Sequence, residues 1–84
     1  MTSEQIRAVV LKSLASVAPE ADLDALGPNE DLRDALDIDS MDVNRFVVSL
    51  HDALGVDVPE KDYPKLLTLA GAVRELQARL AAST

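Results

Sequence analysis

The sequence predicts an all-α fold, a small four-helix bundle of three main helices and one short helix with a long first loop. Three stripes of aliphatic residues recur at offsets of three or four, the period of a helix with one buried face. Each stripe starts beside a residue type that commonly caps helices. At 84 residues the chain is large enough for one small core. We therefore expect residues 1–84 to form a single domain.

The first helix is predicted close to the N-terminus, where Thr2 and Gln5 have the spacing of a capping box. Pro19 sets its limit near Val17 or Ala18, because proline disfavours helix at the residue before it. The buried stripe consists of Ile6, Val10, Leu14 and Val17.

A long connection, residues 20–39, follows without helical period, and Gly27-Pro28 marks a turn in it. Apolar residues nevertheless recur along it: Leu23, Leu26, Leu32, Leu36 and Ile38. Such residues can pack on the core, and structureless loops of this length are uncommon in compact domains. We therefore expect the loop to be anchored to the core, with a short helical turn over residues 31–36.

The second helix is predicted to begin at Asp39 or Ser40, with one of the two as its cap and Asp42 in the first turn, where the helix dipole favours a carboxylate. Gly55 is expected to end it. The inward face is predicted to comprise Val43, Phe46 or Val47, Leu50 and Leu54. The polar residues expected largely elsewhere are Asp42, Arg45, Ser49 and Asp52.

Two further helices are predicted after Gly55. Residues 56–59 read as extended, and Pro59 is suited to the start of a brief helix over residues 60–63, which Pro64 is expected to keep short. Thr68 is predicted to cap the last helix. Its apolar stripe consists of Leu69, Val73, Leu76 and Leu80. Residues 81–84 are expected to fray.

Composition excludes several classes of function. The chain has no cysteine, so disulfides and cysteine metal sites are excluded, no metal site is expected, and any thiol chemistry needs an attached group. With two aromatic residues and a net charge of −7, nucleic acid is not an expected partner. The N-terminus lacks the basic segment of a secretory signal, and no apolar run is long enough to span a bilayer, so we expect a cytoplasmic protein.

Ser40 is the candidate functional residue. The first turn of a helix has unpaired backbone N–H groups and the positive end of the dipole, so a phosphate ester on Ser40 would be favoured. The simpler interpretation is that Ser40 only caps the helix. No catalytic residue is predicted, because His51, the single histidine, lies eleven residues further on, about 16 Å of rise along a straight helix. A calcium loop starting at Asp37 is excluded because Met41 occupies a ligand position.

The segment Asp39-Ser40-Met41-Asp42 is similar to the Asp-Ser-Leu-Asp motif of acyl carrier proteins. It is preceded by Asp31-Leu32 and Leu36 and followed by Gly55, Val58-Pro59 and Thr68. On this ordered set the chain resembles an acyl carrier protein over nearly its full length. The resemblance implies a non-enzymatic carrier that holds acyl groups as thioesters on a 4′-phosphopantetheine arm.

In such a carrier a phosphopantetheinyl transferase would attach the arm from coenzyme A to Ser40, with Asp39 and Met41 as flanking motif residues. Acyl-transferring and acyl-modifying enzymes are the other implied partners, in fatty-acid, lipid or polyketide-type biosynthesis, and a monomer is expected. In the family the polar side of the second helix is typically an acidic recognition surface. Here Arg45 and His51 interrupt it, so Asp42 and Arg45 are the candidate partner-binding residues.

A second departure from the family pattern is Asp37-Ile38, where the family usually has a glycine followed by a small or apolar residue. If this position requires a positive φ, Asp37 would be strained.

The resemblance also implies an apolar interior that could shelter an acyl chain, although the same residues could simply fill the core. The candidate residues are Val47, Leu50, Leu54, Leu66 and Leu69. Two alternative functions stay open. One is an aryl, aminoacyl or peptidyl carrier, and the other is an unmodified helical interaction module that binds through the acidic loop.

Overall fold

The computed structural model describes residues 1–82, and every regular element in that range is helical. The chain order is α1 (Ser3–Val17), a 3₁₀ turn (Leu23–Ala25), α2 (Leu32–Leu36), α3 (Ser40–Leu54), a 3₁₀ helix (Glu60–Leu66) and α4 (Leu69–Ala82). Helix α1 packs against both α3 and α4, and the 3₁₀ helix packs against α4. The predicted all-α bundle of three main helices and a shorter one is confirmed.

The core lies between these helices and is aliphatic apart from Phe46. Its buried members are Ile6, Val10, Leu14, Leu32, Phe46, Val47, Leu50, Val56, Val58, Leu66, Leu69, Ala72 and Leu76. Each predicted stripe contributes to it, although its outermost members, such as Val17 and Leu80, are only partly buried. Both candidates for one inward position of α3, Phe46 and Val47, are buried.

Helix α1 begins as predicted. The Thr2 hydroxyl accepts a hydrogen bond from the Gln5 N–H (3.1 Å), and the Gln5 side chain accepts one from the Thr2 N–H (2.8 Å). Helix α4 has a comparable start, because the Thr68 hydroxyl accepts from the Gly71 N–H at 3.0 Å. These bonds satisfy donors that a helix cannot pair internally at its first turn.

The long connection is pinned to the core, as expected. Leu32 is 1% exposed, and its N–H donates to the Leu67 carbonyl at 2.8 Å. The Ala70 N–H donates to the Pro28 carbonyl at 2.9 Å. The loop is therefore tied by backbone bonds to the start of α4, and the predicted helical turn is present as α2 with Asp31 as its cap.

Three details of the sequence prediction are wrong. The 3₁₀ helix runs past Pro64 to Leu66, because its bonds join each N–H to a carbonyl three residues back and proline removes only one of them. Ala81 and Ala82 belong to α4, since alanine is the strongest helix former; residues 83–84 lie outside the described range. Ser49 faces α1, where its hydroxyl donates to the Ser13 hydroxyl at 3.0 Å.

Within residues 1–82, none of the helices combines the length and the apolar character needed to cross a membrane.

Candidate functional site

Helix α3 starts with a capping box that leaves Ser40 as its first residue. The Asp39 carboxylate accepts from the Asp42 N–H at 3.0 Å, and the Asp42 carboxylate accepts from the Asp39 N–H at 3.4 Å. Asp39 is therefore the cap. The interpretation of Ser40 as merely a cap is wrong, since a neighbouring carboxylate performs that role.

The Ser40 side chain is exposed, and its hydroxyl makes no hydrogen bond within residues 1–82. In the same part of the chain, the backbone N–H groups of Ser40 and Met41 have no acceptor. Free N–H groups and the positive end of the helix dipole both favour an anion at this position. The surroundings of Ser40 thus suit an oxygen that becomes esterified to phosphate.

The chain reaches Ser40 through a tight reversal at Asp37. This residue ends α2 in the left-handed conformation, with φ 52° and ψ 48°, and it is the single non-glycine residue with positive φ in residues 1–82. The Ile38 N–H donates to the Arg33 carbonyl at 3.1 Å and closes the turn. The expected strain is therefore present, and it is moderate because aspartate tolerates this conformation better than most residues.

Two grooves flank the start of α3. The first, here called the serine groove, has a volume of about 550 Å³ and runs between α3 and the 3₁₀ helix. It is lined by Arg33, Ser40, Met41, Val43, Asn44, Arg45, Glu60, Tyr63, Pro64 and Leu67. Across it, the Tyr63 hydroxyl donates to the Asn44 side-chain oxygen at 3.2 Å. The serine groove therefore combines apolar residues, a hydrogen-bonded bridge and two arginines, of which Arg33 is paired with Asp31 at 3.1 Å.

The second groove, here called the loop groove, has a volume of about 700 Å³ and lies between the end of α1, the long connection and α3. Its acidic lining residues are Glu20, Asp22, Glu30, Asp37 and Asp42, and no lysine or arginine lines it. This groove beside the start of α3 is therefore acidic.

The two candidate partner-binding residues point to different grooves. Asp42 lines the loop groove and is engaged in the capping box, whereas Arg45 lines the serine groove. Arg45 is exposed and forms no ion pair with any residue in the range 1–82. Asp42 and Arg45 are three residues apart on α3, and each lines a different groove.

His51 lies near the opposite end of α3 from Ser40. Its Nδ1 atom is 3.0 Å from the Val56 carbonyl oxygen and 3.1 Å from an Asp57 carboxylate oxygen. These contacts place the imidazole at the loop that follows α3. Ser40 and His51 therefore form no Ser–His pair.

Sequence reasoning missed a polar network that holds the 3₁₀ helix on α4. The Arg79 guanidinium donates to the Glu75 carboxylate (2.8 Å), the Asp57 carbonyl (3.0 Å) and the Asp62 carboxylate (2.9 Å). Asp62 also pairs with Lys65 at 3.3 Å. Desolvation raises the pKa of Asp62, but the hydrogen bonds and charges of Lys65 and Arg79 outweigh it and lower that pKa below its ordinary value. The local signals of this network in the sequence are the four-residue spacing of Glu75 and Arg79 and the three-residue spacing of Asp62 and Lys65.

The network bears on the site because the 3₁₀ helix supplies one wall of the serine groove, including Tyr63 and Pro64.

The residues that the family resemblance suggests for sheltering an acyl chain lie deeper in the protein than the serine groove. Val47, Leu50, Leu66 and Leu69 are buried in the core, and Leu54 packs partly buried against it.

Comparisons with known proteins agree with this geometry. The family model described as the phosphopantetheine attachment site matches residues 8–77. An acyl carrier protein from Lactobacillus acidophilus is 29% identical over 68 residues, which cover 81% of this chain and 85% of that protein. An acyl carrier protein from Campylobacter hominis is 31% identical over 74 residues, covering 88% and 87% of the two chains. The chain therefore belongs to the acyl carrier protein family, whose members carry a covalently attached 4′-phosphopantetheine group and are not enzymes.

Proposed function

We propose that the Ser40 hydroxyl oxygen is the atom that carries the phosphopantetheine arm, with Asp39 and Met41 as the residues flanking it. The observation that carries this proposal is the division of roles at the start of α3. Asp39 caps the helix, so the adjacent Ser40 hydroxyl is exposed and makes no hydrogen bond within residues 1–82. An esterified Ser40 would leave the capping box unchanged.

The residues around Ser40 suit a phosphate ester. The Ser40 and Met41 N–H groups would face it, and Arg45 places positive charge in the adjoining groove, whereas the Arg33 guanidinium is paired with the Asp31 carboxylate at 3.1 Å. Asp39 and Asp42 lie close to the same atom, but each is engaged in the capping box. The bound arm supplies a thiol that holds cargo as a thioester, and this chain has no cysteine to provide one.

The chain's own contribution is to present this oxygen rigidly. The capping box fixes the first turn of α3, and Asp37 turns the chain sharply before it. His51, the single histidine of the sequence, is held at the far end of the helix. Removal of the hydroxyl proton is therefore left to the enzyme that attaches the arm.

The two relatives also bear on the cargo and the pathway. We favour acyl cargo, in fatty-acid, lipid or polyketide-type biosynthesis, over the aryl, aminoacyl or peptidyl alternatives, because both relatives described above are acyl carrier proteins. We further propose that residues 1–84 act as one monomeric domain in the cytoplasm. A phosphopantetheinyl transferase and acyl-processing enzymes are the partners. Family membership argues against the unmodified interaction module.

Labelling with a fluorescent coenzyme A derivative and a broad-specificity phosphopantetheinyl transferase tests the attachment residue. The wild type is expected to become fluorescent on a denaturing gel, and Ser40→Ala is expected to stay dark. Ser3→Ala is a matched control, because Ser3 is the exposed first residue of α1 and also follows its own cap. Labelling of Ser40→Ala would refute the proposal.

A further inference from the structure

The sulfur atoms of this protein lie at its surface. The chain has no cysteine and two methionines, and both methionines are outside the core, with Met1 62% and Met41 67% exposed. Met41 is the most exposed large hydrophobic residue in the described range. A dissolved oxidant therefore reaches the Met41 sulfur without any opening of the structure.

The methionine at position 41 differs in its chemistry from the leucine of the acyl carrier motif Asp-Ser-Leu-Asp. A peroxide transfers one oxygen atom to a thioether sulfur. The O–O bond breaks, an S–O bond forms, the sulfur loses two electrons, and the peroxide is reduced to water or an alcohol. The product, methionine sulfoxide, is polar, whereas the thioether is apolar. Leucine has no equivalent reaction, so Met41 adds a redox-sensitive atom to the motif.

Met41 lies where its polarity affects reactions at Ser40. It is the next residue along α3, so the two Cα atoms are about 3.8 Å apart, and both residues line the serine groove. An enzyme that forms a phosphate ester at the Ser40 hydroxyl oxygen must approach that atom closely and displaces water from the neighbouring Met41 side chain. Removing water from a thioether costs little, but removing it from a sulfoxide oxygen leaves a hydrogen-bond acceptor unpaired. Oxidation therefore makes the approach to Ser40 less favourable.

We propose that Met41 is a reversible oxidation site whose sulfoxide slows attachment of the phosphopantetheine arm to Ser40. The inference rests on Ser40 being the attachment residue. The oxidant is a peroxide, and the reverse step is reduction by thiols, in which two thiols become a disulfide and the sulfoxide oxygen leaves as water. The sensitive form is the unmodified carrier, since attachment of the arm is the step that is slowed.

The test compares arm transfer to oxidised and to unoxidised carrier. The unmodified protein is treated with hydrogen peroxide, freed of peroxide by gel filtration, and fragmented in a mass spectrometer to locate the added oxygen. Coenzyme A and a broad-specificity phosphopantetheinyl transferase, neither of them exposed to peroxide, are then added. Oxidation of Met41 is expected to lower kcat/KM for the carrier about tenfold, mainly through KM. Treatment with methionine sulfoxide reductases A and B and dithiothreitol is expected to restore kcat/KM to within about twofold of its starting value.

Met41→Leu is the matched control, because it removes the sulfur beside Ser40 and keeps Met1, which lines neither groove. Its kcat/KM is compared before and after peroxide and is expected to change less than about twofold. Circular dichroism is expected to give the same melting temperature for oxidised and unoxidised wild type, since Met41 is exposed.

Undiminished loading of protein that is oxidised at Met41 would overturn the inference. An equal loss in peroxide-treated Met41→Leu, or a loss that accompanies unfolding, would overturn it as well. Failure of the attachment proposal is distinguishable, because it would appear as loading of Ser40→Ala with or without peroxide.

Discussion

The pinning of the long loop by Leu32 makes a quantitative prediction about Leu32→Ala. Leu32 is 1% exposed and is the one fully buried residue of α2. Its backbone N–H bond to the Leu67 carbonyl does not depend on the side chain. Alanine is also favourable in helices. The substitution therefore removes buried side-chain contacts while the backbone bond and the Asp31 cap are kept.

Truncating a fully buried leucine to alanine costs 2–5 kcal/mol in well-packed cores, and we expect about 3 kcal/mol here. A chain of this length has a total stability of roughly 4–13 kcal/mol. The variant should therefore stay folded at room temperature but lose a large part of its margin. For a domain of this size the melting temperature should fall by about 12–24 °C.

Urea unfolding followed by far-ultraviolet circular dichroism measures this loss. Leu36→Ala is the matched control, because Leu36 lies in the same helix but is only partly buried. We expect it to lose about 1 kcal/mol, in proportion to its smaller burial. If Leu32→Ala lost no more than Leu36→Ala, α2 would not be pinned through Leu32 and the reasoning would fail.

Three further variants test other parts of the structure by urea unfolding. Asp37→Val is expected to be less stable than Asp37→Gly by roughly 2 kcal/mol, because a β-branched residue is strained at a φ of 52°. Asp39→Ala should lose about 1 kcal/mol with its cap. Arg79→Met should destabilise the protein more at pH 7 than at pH 2.5. The pKa of Asp62 is lowered in the folded state, so its stabilisation is present above the ordinary carboxyl pKa of about 4 and is lost as the pH falls through the folded value.

Each of these expectations has a contrary outcome. Equal stability of the two position-37 variants would mean that the turn relaxes without strain. An undiminished stability of Asp39→Ala would mean that water replaces the cap at no cost. A loss in Arg79→Met that is the same at both pH values would show that Asp62 does not take part in the stabilisation.

The helices themselves were predictable because their signals are local. The spacing of Thr2 and Gln5 placed the start of α1, and Gly55, in the left-handed conformation at φ 69°, ends α3 as predicted. The extension of the 3₁₀ helix past Pro64 was not predictable by the same reasoning. The rule applied there describes α-helical bonding, whereas this segment uses bonds to the third preceding residue.

The candidate site was predictable in position but not in its surroundings. The sequence placed Ser40 at a helix start, and the structure adds that Asp39 performs the capping. Which groove each charged residue lines depends on packing between distant segments, so the assignment of Asp42 and Arg45 to different grooves had no signal in the sequence. The contacts of Arg79 with Asp57 and Asp62 span 22 and 17 residues and are equally invisible to local patterns.

Mass spectrometry of the loaded wild-type protein identifies the residue that carries the arm. The protein is incubated with coenzyme A and a phosphopantetheinyl transferase, weighed intact, and then digested and fragmented to locate the added group. We predict one phosphopantetheine mass gain per chain, located on Ser40. A gain located on another residue, or none with any of several transferases, would contradict it.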